Sequence, residues 1–316
     1  MDVLCFGEAL VDLLPDRRGR LRDSERFEVH SGGAPANVAV GLSRLGLSVG
    51  FRGVLGDDEF GHALIRKLSA EGIDCRFRMT AEARTGIWFI ALDENGDRTF
   101  FTPTGAGSAD KLLAPGDVDP ALFAQAKFLH CGSSSHVRPQ GQLALKAAVR
   151  AAKAAGVRVS FDPNVRTHLW TDLRDLRALC EDVLPFCDVV KLAIDETEAC
   201  IGTKGAEASA ARLHELGVKL ACITLGPDGA VAKRGADELR VPAGKVKVVD
   251  TTGAGDGFVA GLISRLARAA PVESLPSEAV ESALRFGCAV GSRVCTRLGA
   301  VAALPTAAEA AGLLTG

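Results

Sequence analysis

Apolar positions along the chain repeat with two alternating periods, one typical of strands and one typical of helices. Short apolar runs predict buried strands at 3–6, 47–54, 127–131, 157–161, 189–192, 220–225 and 246–249. Apolar residues at helical spacing, bounded by Pro and Gly, predict helices at 35–45, 60–71, 140–155, 173–184, 206–216, 255–269 and 278–297. This alternation predicts an α/β fold with a mostly parallel sheet that is covered by helices on both faces.

Two stretches interrupt the alternation and predict a small β layer beside the main sheet. Residues 86–92 and 98–101 are strand-like and flank Asn95-Gly96, a dipeptide typical of a hairpin turn. Residues 13–30 are charged and lack a helical period. We therefore expect lid segments at about 13–30 and 86–107, and a further antiparallel patch at 230–241. Because we find no linker and no repeat, we expect a single domain over 1–316.

Composition excludes several classes of protein. The 316 residues are 47% hydrophobic and carry a formal net charge of −2, whereas nucleic-acid binders usually carry a basic excess. No apolar run approaches the roughly 20 residues of a membrane span, and the N-terminus does not resemble a signal peptide. Nine cysteines without a CxxC pair predict reduced, buried thiols. We expect a cytoplasmic protein that binds neither nucleic acid nor membrane.

The segment from Asp250 to Phe258 is the sharpest candidate for chemistry. A glycine turn that opens a helix directs free backbone N–H groups and the positive end of the helix dipole at one point, which favours phosphate. The segment is not a P-loop, and Phe258 stands where the dinucleotide fingerprint needs Gly. Asp256 inside this turn is either a general base for an attacking hydroxyl or a helix cap.

The segment from Ser31 to Asn37 also opens a helix and is the candidate site for a sugar. Its Gly pair allows a ligand to approach, while Asn37 and the nearby Asp12 offer the amide and carboxylate groups that bind vicinal hydroxyls. The alternative is an ordinary Gly turn with a helix cap.

Together these segments resemble the signatures of the ribokinase-like carbohydrate kinases, the phosphofructokinase-B family. The resemblance covers essentially the whole chain. It rests on GGAPANVAVGLSRLG at 32–46, DTTGAGDGFVAGL at 250–262, TLG with a later Gly at 224–229, and TRLGA at 296–300. The segments CFGEALVD at 5–12 and FDPNVR at 161–166 are similar to the fructokinase branch of the family.

The resemblance implies an ATP-dependent sugar kinase with a Rossmann-like, ribokinase-like core and a β lid. It implies that Asp256 is the catalytic base and that an anion hole forms at Gly253, Ala254 and Gly255. The sugar contacts that it implies are Asp12, Gly32, Gly33, Asn37 and Arg166. The nucleotide contacts that it implies are Lys191, Thr224, Gly226, Gly229, Gly253 and Gly255.

Two ion sites depart from the family pattern. The family often has an Asn where this chain has Asp195, three residues before Glu198, and the pair is implied to organise Mg²⁺ through water or phosphate. Asp250 and Thr252 are implied to hold a monovalent cation such as K⁺. A hydroxyl expected near the C-terminus is replaced by Ala303, so the sequence leaves a K⁺ requirement open.

The lid carries the expectation about the substrate. Relatives that act on fructose or on 2-keto-3-deoxygluconate typically have an aromatic-Tyr-Arg run there, whereas this chain has Phe100-Phe101-Thr102 and no Tyr at all. The missing Arg disfavours a substrate with a carboxylate or phosphate. We expect fructose, phosphorylated at its terminal hydroxyl. The alternatives are 2-keto-3-deoxygluconate, ribose or a nucleoside, and, from other classes, a nicotinamide-dependent dehydrogenase or a silent sugar- or nucleotide-binding regulator.

The lid also predicts how the chain assembles. Ile87, Phe89 and Ala91 alternate with Trp88 and Ile90, so that both faces of a thin sheet are apolar. Such a sheet needs cover, and the lid of a second copy could supply it. We expect a homodimer with paired lids.

Overall fold

The computed structural model describes residues 1–92 and 98–313. The strands within these ranges are β1 (Val3–Phe6), β2 (Leu10–Pro15), β3 (Phe27–Gly32), β4 (Val49–Gly56), β5 (Asp74–Thr80), β6 (Ile87–Leu92), β7 (Arg98–Phe101), β8 (Phe128–Cys131), β9 (Arg158–Phe161), β10 (Val189–Ala193), β11 (Leu220–Thr224), β12 (Ala230–Arg234) and β13 (Asp237–Val241). The α-helices are α1 (Ala34–Arg44), α2 (Glu59–Ala70), α3 (Pro120–Phe123), α4 (Pro139–Ala154), α5 (Leu173–Val183), α6 (Thr197–Ile201), α7 (Ala206–Glu215), α8 (Ala254–Leu266), α9 (Ser277–Val294) and α10 (Ala307–Ala310).

The main sheet has nine strands in the order β13-β12-β11-β10-β9-β8-β1-β4-β5. Neighbours from β11 to β5 run parallel, while β12 is antiparallel to both β11 and β13. Apolar side chains of α1, α2, α8 and α9 pack on one face, and those of α4, α5, α6 and α7 pack on the other. The predicted fold class is confirmed, because six of the seven predicted apolar runs form strands of this sheet, which helices cover on both faces.

A second, smaller sheet of four strands forms the lid, in the order β3-β2-β6-β7. Strand β2 is antiparallel to β3 and parallel to β6, and β6 is antiparallel to β7. The strands lie within 10–32 and 87–101, close to the predicted lid segments. The predicted Asn95-Gly96 turn lies outside the described residues. Because the lid begins directly after β1 and β5, it stands at the carboxyl ends of the parallel strands, where open α/β sheets bind ligands.

Two expectations about strands fail at the margins of the main sheet. Strand β5, with the sequence DCRFRMT, was not predicted, because an edge strand that pairs only with β4 can carry charged residues. Conversely, the strand predicted at 246–249 is absent, and Val248 is 59% exposed. The backbone amides of Val249 and Asp250 donate to the carbonyl of Cys295 at the end of α9 instead of to a neighbouring strand.

Candidate active site

The first turn of α8 carries Asp256, and Gly253 sets the position of that turn. Gly253 precedes the helix with a φ of 78°, in the left-handed region that favours glycine. A Cβ at Gly253 would also lie 2.6 Å from the Cβ of Ala300, so no larger residue fits without movement. The first turn of α8 therefore combines the positive end of the helix dipole with the Asp256 carboxylate, but Ala254 of the predicted anion hole already donates its amide to the carbonyl of Thr251 at 3.2 Å.

Asp256 is buried and is held by α1. Asn37 Nδ2 donates a hydrogen bond of 2.7 Å to Asp256 Oδ2 across 219 residues of sequence. Burial raises the pKa of Asp256 to about 6, although the Asn37 hydrogen bond and the charges of Lys191 and Arg166 oppose the rise. The group is thus a weak base that is mostly ionised at neutral pH, which suits a general base.

Asp12 provides a second buried carboxylate, on lid strand β2. Burial raises its pKa to about 7, and the charge of Asp256 adds to the rise, while Arg166 lowers it. A Cβ at Gly32 would lie 2.1 Å from Asp12 Oδ2, and a Cβ at Gly33 would lie 2.6 Å from the carbonyl oxygen of Glu8. Both glycines are therefore required because the backbone and the carboxylate approach so closely.

Lys191 lies in a buried charge network beside Gly255, in the first turn of α8. Its ammonium is 3.2 Å from Asp162 Oδ2 and 4.0 Å from Glu196 Oε2, and a Cβ at Gly255 would lie 2.9 Å from its Nζ. Burial favours the neutral amine, but Asp162, Glu196 and Asp256 together hold the pKa of Lys191 above its ordinary value. A fixed cation therefore lies beside the candidate anion hole.

Asp162 and Glu196 were missed as site residues by the sequence analysis. Asp162 directly follows β9, and Glu196 follows β10 within three residues. The sequence did indicate them, because charged residues that come just after the carboxyl ends of parallel strands meet at one edge of the sheet. Both oxygens of Glu196 accept backbone amides, from Val165 at 2.6 Å and from Ala193 at 2.8 Å, so this carboxylate fixes two loops.

Arg166 connects the main body to the lid. Its guanidinium lies over the ring of Phe100 on β7, 5.2 Å from the centroid, and donates at 2.7 Å to the Asn164 side chain. Trp88 on β6 makes edge contacts with Phe100 and with His168, at centroid distances of 5.7 Å. The lid therefore contributes aromatic surface to the site, and the main body contributes the cation.

The other predicted nucleotide contacts lie at the end of β11. Thr224 ends the strand, a short 3-10 turn runs from Gly226 to Asp228, and the amide of Leu225 donates at 2.8 Å to the carbonyl of Gly229. A Cβ at Gly229, whose φ is 91°, would lie 2.0 Å from the carbonyl oxygen of Val241. Glycine is therefore required at this turn, while Gly226 faces open space.

The predicted ion sites differ from each other in burial. Asp195 and Glu198 are both exposed, and Glu198 pairs with Lys204 at 3.2 Å. Asp250 is buried, and its carboxylate accepts from the amide and hydroxyl of Thr252 and from the amide of Gly299, at 2.7–2.9 Å. In the described ranges, no group of three or more His, Cys, Asp or Glu side chains could hold a metal ion.

One cavity between the lid and the main body collects most of the predicted sugar and catalytic residues. Of these, it is lined by Asp12, Gly33, Asn37, Arg166, Gly253 and Asp256, but not by Gly32, Ala254 or Gly255, and Thr252 of the predicted monovalent-cation site also lines it. Trp88, Ile90 and Phe100 line it from the lid, and Glu8 lines it from the end of β1. Lys191, Thr224 and the two exposed acids are not among its lining residues. The site thus divides into a sugar cavity and a separate surface at the ends of β10 and β11.

A carboxylate base at a glycine-rich helix start, above a cavity that can bind a polyol, is the arrangement of a sugar kinase. Residues 1–307 match the pfkB family carbohydrate kinases. This chain belongs to that family. The pfkB kinase described here is an ATP-dependent sugar kinase, with the ribokinase-like fold of its structural neighbours.

Relatives with related names align with this pfkB kinase over nearly its whole length. A fructokinase of Klebsiella pneumoniae is 40% identical over 95% of both chains, and fructokinase-2 of Solanum lycopersicum is 37% identical over 99% of this chain and 96% of its own. The crystal structure of a fructokinase from Vibrio cholerae O395, with fructose, ADP and a calcium ion bound, is 32% identical with a TM-score of 0.89. It covers 99% of this chain and 98% of its own.

No helix among residues 1–92 and 98–313 has both the length and the apolar character that a membrane crossing demands. All nine cysteines of the pfkB kinase lie in these ranges and are free thiols.

Proposed function

We propose that this pfkB kinase is a fructokinase that transfers the γ-phosphoryl group of ATP to the terminal hydroxyl of fructose. The observation that carries the proposal is the cavity in which Asp256, held by Asn37, shares one small volume with the carboxylate of Asp12. Relatives named fructokinase at 37–40% identity support the choice of fructose.

The charge balance of the cavity supports a neutral sugar. Its lining includes three acidic side chains, Glu8, Asp12 and Asp256, against one cation, Arg166. The lid residues that line it, such as Trp88, are apolar or aromatic. At neutral pH Asp256 is mostly ionised and Asp12 is about half ionised, so a sugar acid or a sugar phosphate would place its anion beside negative charge, which costs free energy, whereas hydroxyl groups can donate to carboxyl oxygens.

In the proposed reaction, Asp256 removes the proton of the attacking hydroxyl. Its pKa of about 6 leaves it mostly ionised at neutral pH, and the Asn37 hydrogen bond fixes the carboxylate through Oδ2. The hydroxyl oxygen attacks the γ-phosphorus as its bond to the ADP oxygen breaks. The amides of Gly253 and Gly255 and the Lys191 ammonium stabilise the charge on the transferred group.

A magnesium ion fits this scheme at Asp195 and Glu198. Mg²⁺ usually keeps several waters and binds through one or two carboxylates together with substrate phosphates, so exposed acids beside the phosphate site suit it. When bound, the ion would neutralise phosphate charge. A monovalent cation at Asp250 and Thr252 stays a prediction. If the site binds K⁺, kcat should fall when tetramethylammonium replaces K⁺ at constant ionic strength.

The test is ADP release from ATP and Mg²⁺ across a panel of fructose, 2-keto-3-deoxygluconate, ribose, glucose, fructose 6-phosphate and adenosine. We expect turnover on fructose that Asp256→Asn abolishes. Turnover on another member alone would keep the chemistry and replace the substrate. Sugar binding without any turnover would support the silent regulator instead.

We propose further that the protein is a homodimer joined through its lids. The strand register aligns Val29, Leu13, Phe89 and Phe101 in one row across all four lid strands. Val29 is 50% exposed and Phe101 is 55% exposed, and the row continues through the edge contact of Phe27 with Phe89 at 5.1 Å. An apolar row of this kind on a thin sheet favours burial against a second copy.

We also propose that the protein works in a reducing compartment, the cytoplasm. Its nine free thiols, eight of them buried, support this location.

A further inference from the structure

Next to the sugar cavity lies a group of buried side chains that the proposed chemistry does not use. It consists of Glu8, Asp110, Lys111, Ser135 and His136, here called the Glu8 cluster, and each of these residues is at most 3% exposed. Lys111 Nζ is 2.5 Å from Asp110 Oδ2, and Ser135 Oγ donates to Glu8 Oε2 at 2.9 Å. Burying two acids and a lysine is costly, so their retention calls for a reason.

Glu8 is the member of the cluster that lines the cavity, together with Asp12 and Asp256. It follows β1 and Gly7 at the carboxyl end of a central strand, so its backbone position is fixed by the sheet. Burial raises the pKa of Glu8, although the charge of Lys111 and the Ser135 hydrogen bond oppose the rise. The two oxygens of its carboxyl group can accept more hydrogen bonds than the one that Ser135 supplies. Capacity therefore remains for hydroxyl groups of a ligand in the cavity.

The cluster is incompletely hydrogen-bonded within the described part of the chain. Asp110 Oδ1 and both ring nitrogens of His136 are buried without a partner there. Burial lowers the pKa of His136 to about 3, so the ring is neutral and contributes no charge. Buried polar atoms in folded proteins are almost always bonded, so unpaired atoms grouped beside a cavity indicate a polar ligand or ordered water nearby.

The cluster also lies where the chain passes between the lid and the main body. A Cβ at Gly86, just before β6, would lie 3.1 Å from Asp110 Oδ1. The Gly33 position, just after β3, is in contact with the carbonyl of Glu8. A sugar that contacts Glu8 is therefore bound at the junction of the two sheets, far along the chain from the α8 turn that carries Asp256.

We propose that Glu8 is a specificity-determining residue that binds a hydroxyl group of the sugar other than the one that is phosphorylated. Ser135, which donates to Glu8 Oε2 at 2.9 Å, is a positioning residue that holds its carboxyl group. This assignment rests on the proposed sugar kinase function and names a second point at which the protein binds the substrate. Two fixed points, Asp256 at one hydroxyl and Glu8 at another, would orient the sugar for transfer.

The first test is Glu8→Gln, which keeps the shape of the side chain and an oxygen that can accept from Ser135. We expect kcat/KM for fructose to fall on the order of 10- to 100-fold, mainly through KM, because an NH2 group replaces the oxygen that accepts the hydrogen bond from the sugar. Asp256→Asn should show the opposite pattern, a fall in kcat. An unchanged kcat/KM in Glu8→Gln, with an active wild type, would overturn the proposal.

The second test pairs the variant with fructose analogues that lack one hydroxyl group each: 1-deoxy-, 3-deoxy- and 4-deoxyfructose. For the hydroxyl that Glu8 binds, the wild type and Glu8→Gln should have nearly the same kcat/KM, because the partner of Glu8 is already missing. For the other two analogues the full difference should persist. An equal loss on all three analogues would mean that Glu8 is only structural and would contradict the assignment.

Two further variants keep the result interpretable if Glu8→Gln folds poorly. Ser135→Ala leaves the carboxyl group but removes its hydrogen bond, and should raise KM for fructose with a smaller effect on kcat. Ser209→Ala removes a buried hydroxyl on α7 that bonds only weakly, to Thr203 at 3.4 Å, and should leave both constants unchanged. Equal effects of the two serine variants would overturn the positioning role of Ser135.

Binding without turnover separates this proposal from the proposed function. The chain has two tryptophans, and Trp88 lines the cavity, so fluorescence titration of Asp256→Asn with fructose measures a dissociation constant directly. Adding Glu8→Gln to that variant should weaken binding on the order of 10-fold or more. If fructose binds tightly and Glu8→Gln does not change its dissociation constant, the Glu8 assignment alone is rejected. If the wild type neither binds nor phosphorylates fructose, fructose is rejected as the substrate.

Discussion

At the scale of single residues, the site depends on carboxylates held in surroundings that disfavour their charge. Burial raises the pKa of both Asp256 and Asp12, and the negative charge of Asp256 adds to the rise at Asp12. A base with a pKa near neutrality accepts a proton more readily than an ordinary aspartate does. The same burial destabilises the folded protein, so catalysis and stability conflict at this position.

The conflict predicts that Asp256→Asn is inactive yet more stable than the wild type at high pH. Because the pKa of Asp256 rises from 3.8 to about 6 on folding, the folded state binds the proton more tightly than the unfolded state. The stability from the protonated form is lost as pH rises through about 6, which corresponds to roughly 3 kcal/mol. Thermal melts at pH 8 should show a higher Tm for Asp256→Asn, with a difference that shrinks toward pH 4.5. A lower Tm at pH 8 would contradict this account.

A pH profile of kcat/KM tests the partnership between Asp256 and Asn37. The rate needs the ionised carboxylate, so kcat/KM should fall about tenfold per pH unit below an apparent pKa of about 6. Asn37→Ala removes a hydrogen bond that favours the charged form, so its acid limb should move to higher pH. An acid limb that does not move would mean that Asn37 does not lower the pKa of Asp256.

At the scale of elements, the start of α8 is fixed by what surrounds Gly253. The residue adopts a positive φ and touches Ala300, whose neighbour Gly299 bonds to Asp250. The helix start, the preceding loop and the late loop are therefore locked together. A small displacement of the turn would move the base and the anion-binding amides at the same time.

Gly253→Ala should accordingly reduce both stability and rate, and Gly46→Ala is the matched control. Both glycines have a positive φ, but a Cβ at Gly46 meets nothing within 4 Å. Gly46→Ala should cost about 1 kcal/mol from backbone strain alone. Gly253→Ala should cost a further 1–3 kcal/mol or so from crowding and reduce kcat on the order of 100-fold. Denaturant unfolding and the kinase assay measure the two effects, and equal results for both variants would exclude crowding.

At the scale of the whole molecule, the lid is a thin sheet that encloses the cavity on one side. Trp88 and Ile90 are buried toward the cavity, while Val29 and Phe101 are exposed on the outer row. Because alternate residues of a strand point to opposite faces, one element both lines the proposed sugar cavity and presents the outer row that the proposed dimer would bury. The two roles should therefore respond together when the outer face is changed.

Val29→Asp and Phe101→Asp should convert the proposed dimer to a monomer and raise KM for fructose, since a lid without its partner is held less firmly. Leu143→Asp is the control, because Leu143 is 49% exposed on α4, away from the lid. Light scattering at micromolar concentration with and without fructose measures the mass. A wild type that is monomeric in both conditions would end the dimer proposal.

Local patterns determined most of the elements. All four residues of β1, VLCF, are apolar and buried, and a sequence records such a strand directly because both of its faces pack in the core. The strand predicted at 246–249 is absent and strand β5 was not predicted, for one reason. Whether a segment joins a sheet depends on the neighbouring segment with which it can form hydrogen bonds. Cys295 supplied the hydrogen-bond partner for 249–250, and β4 supplied that for β5.

The sequence by itself determined the alternation that makes the parallel sheet, the two glycine-rich helix starts and the choice of Asp256 as candidate base. Those features are local, because they depend on residue spacing and on the conformational freedom of glycine. Only the tertiary structure decided that Asn37 donates to Asp256, that Lys191 lies against Gly255, and that Glu8 borders the same cavity. These contacts join residues far apart in the chain, and the folding of the parallel strands brings their carboxyl ends to one edge of the sheet.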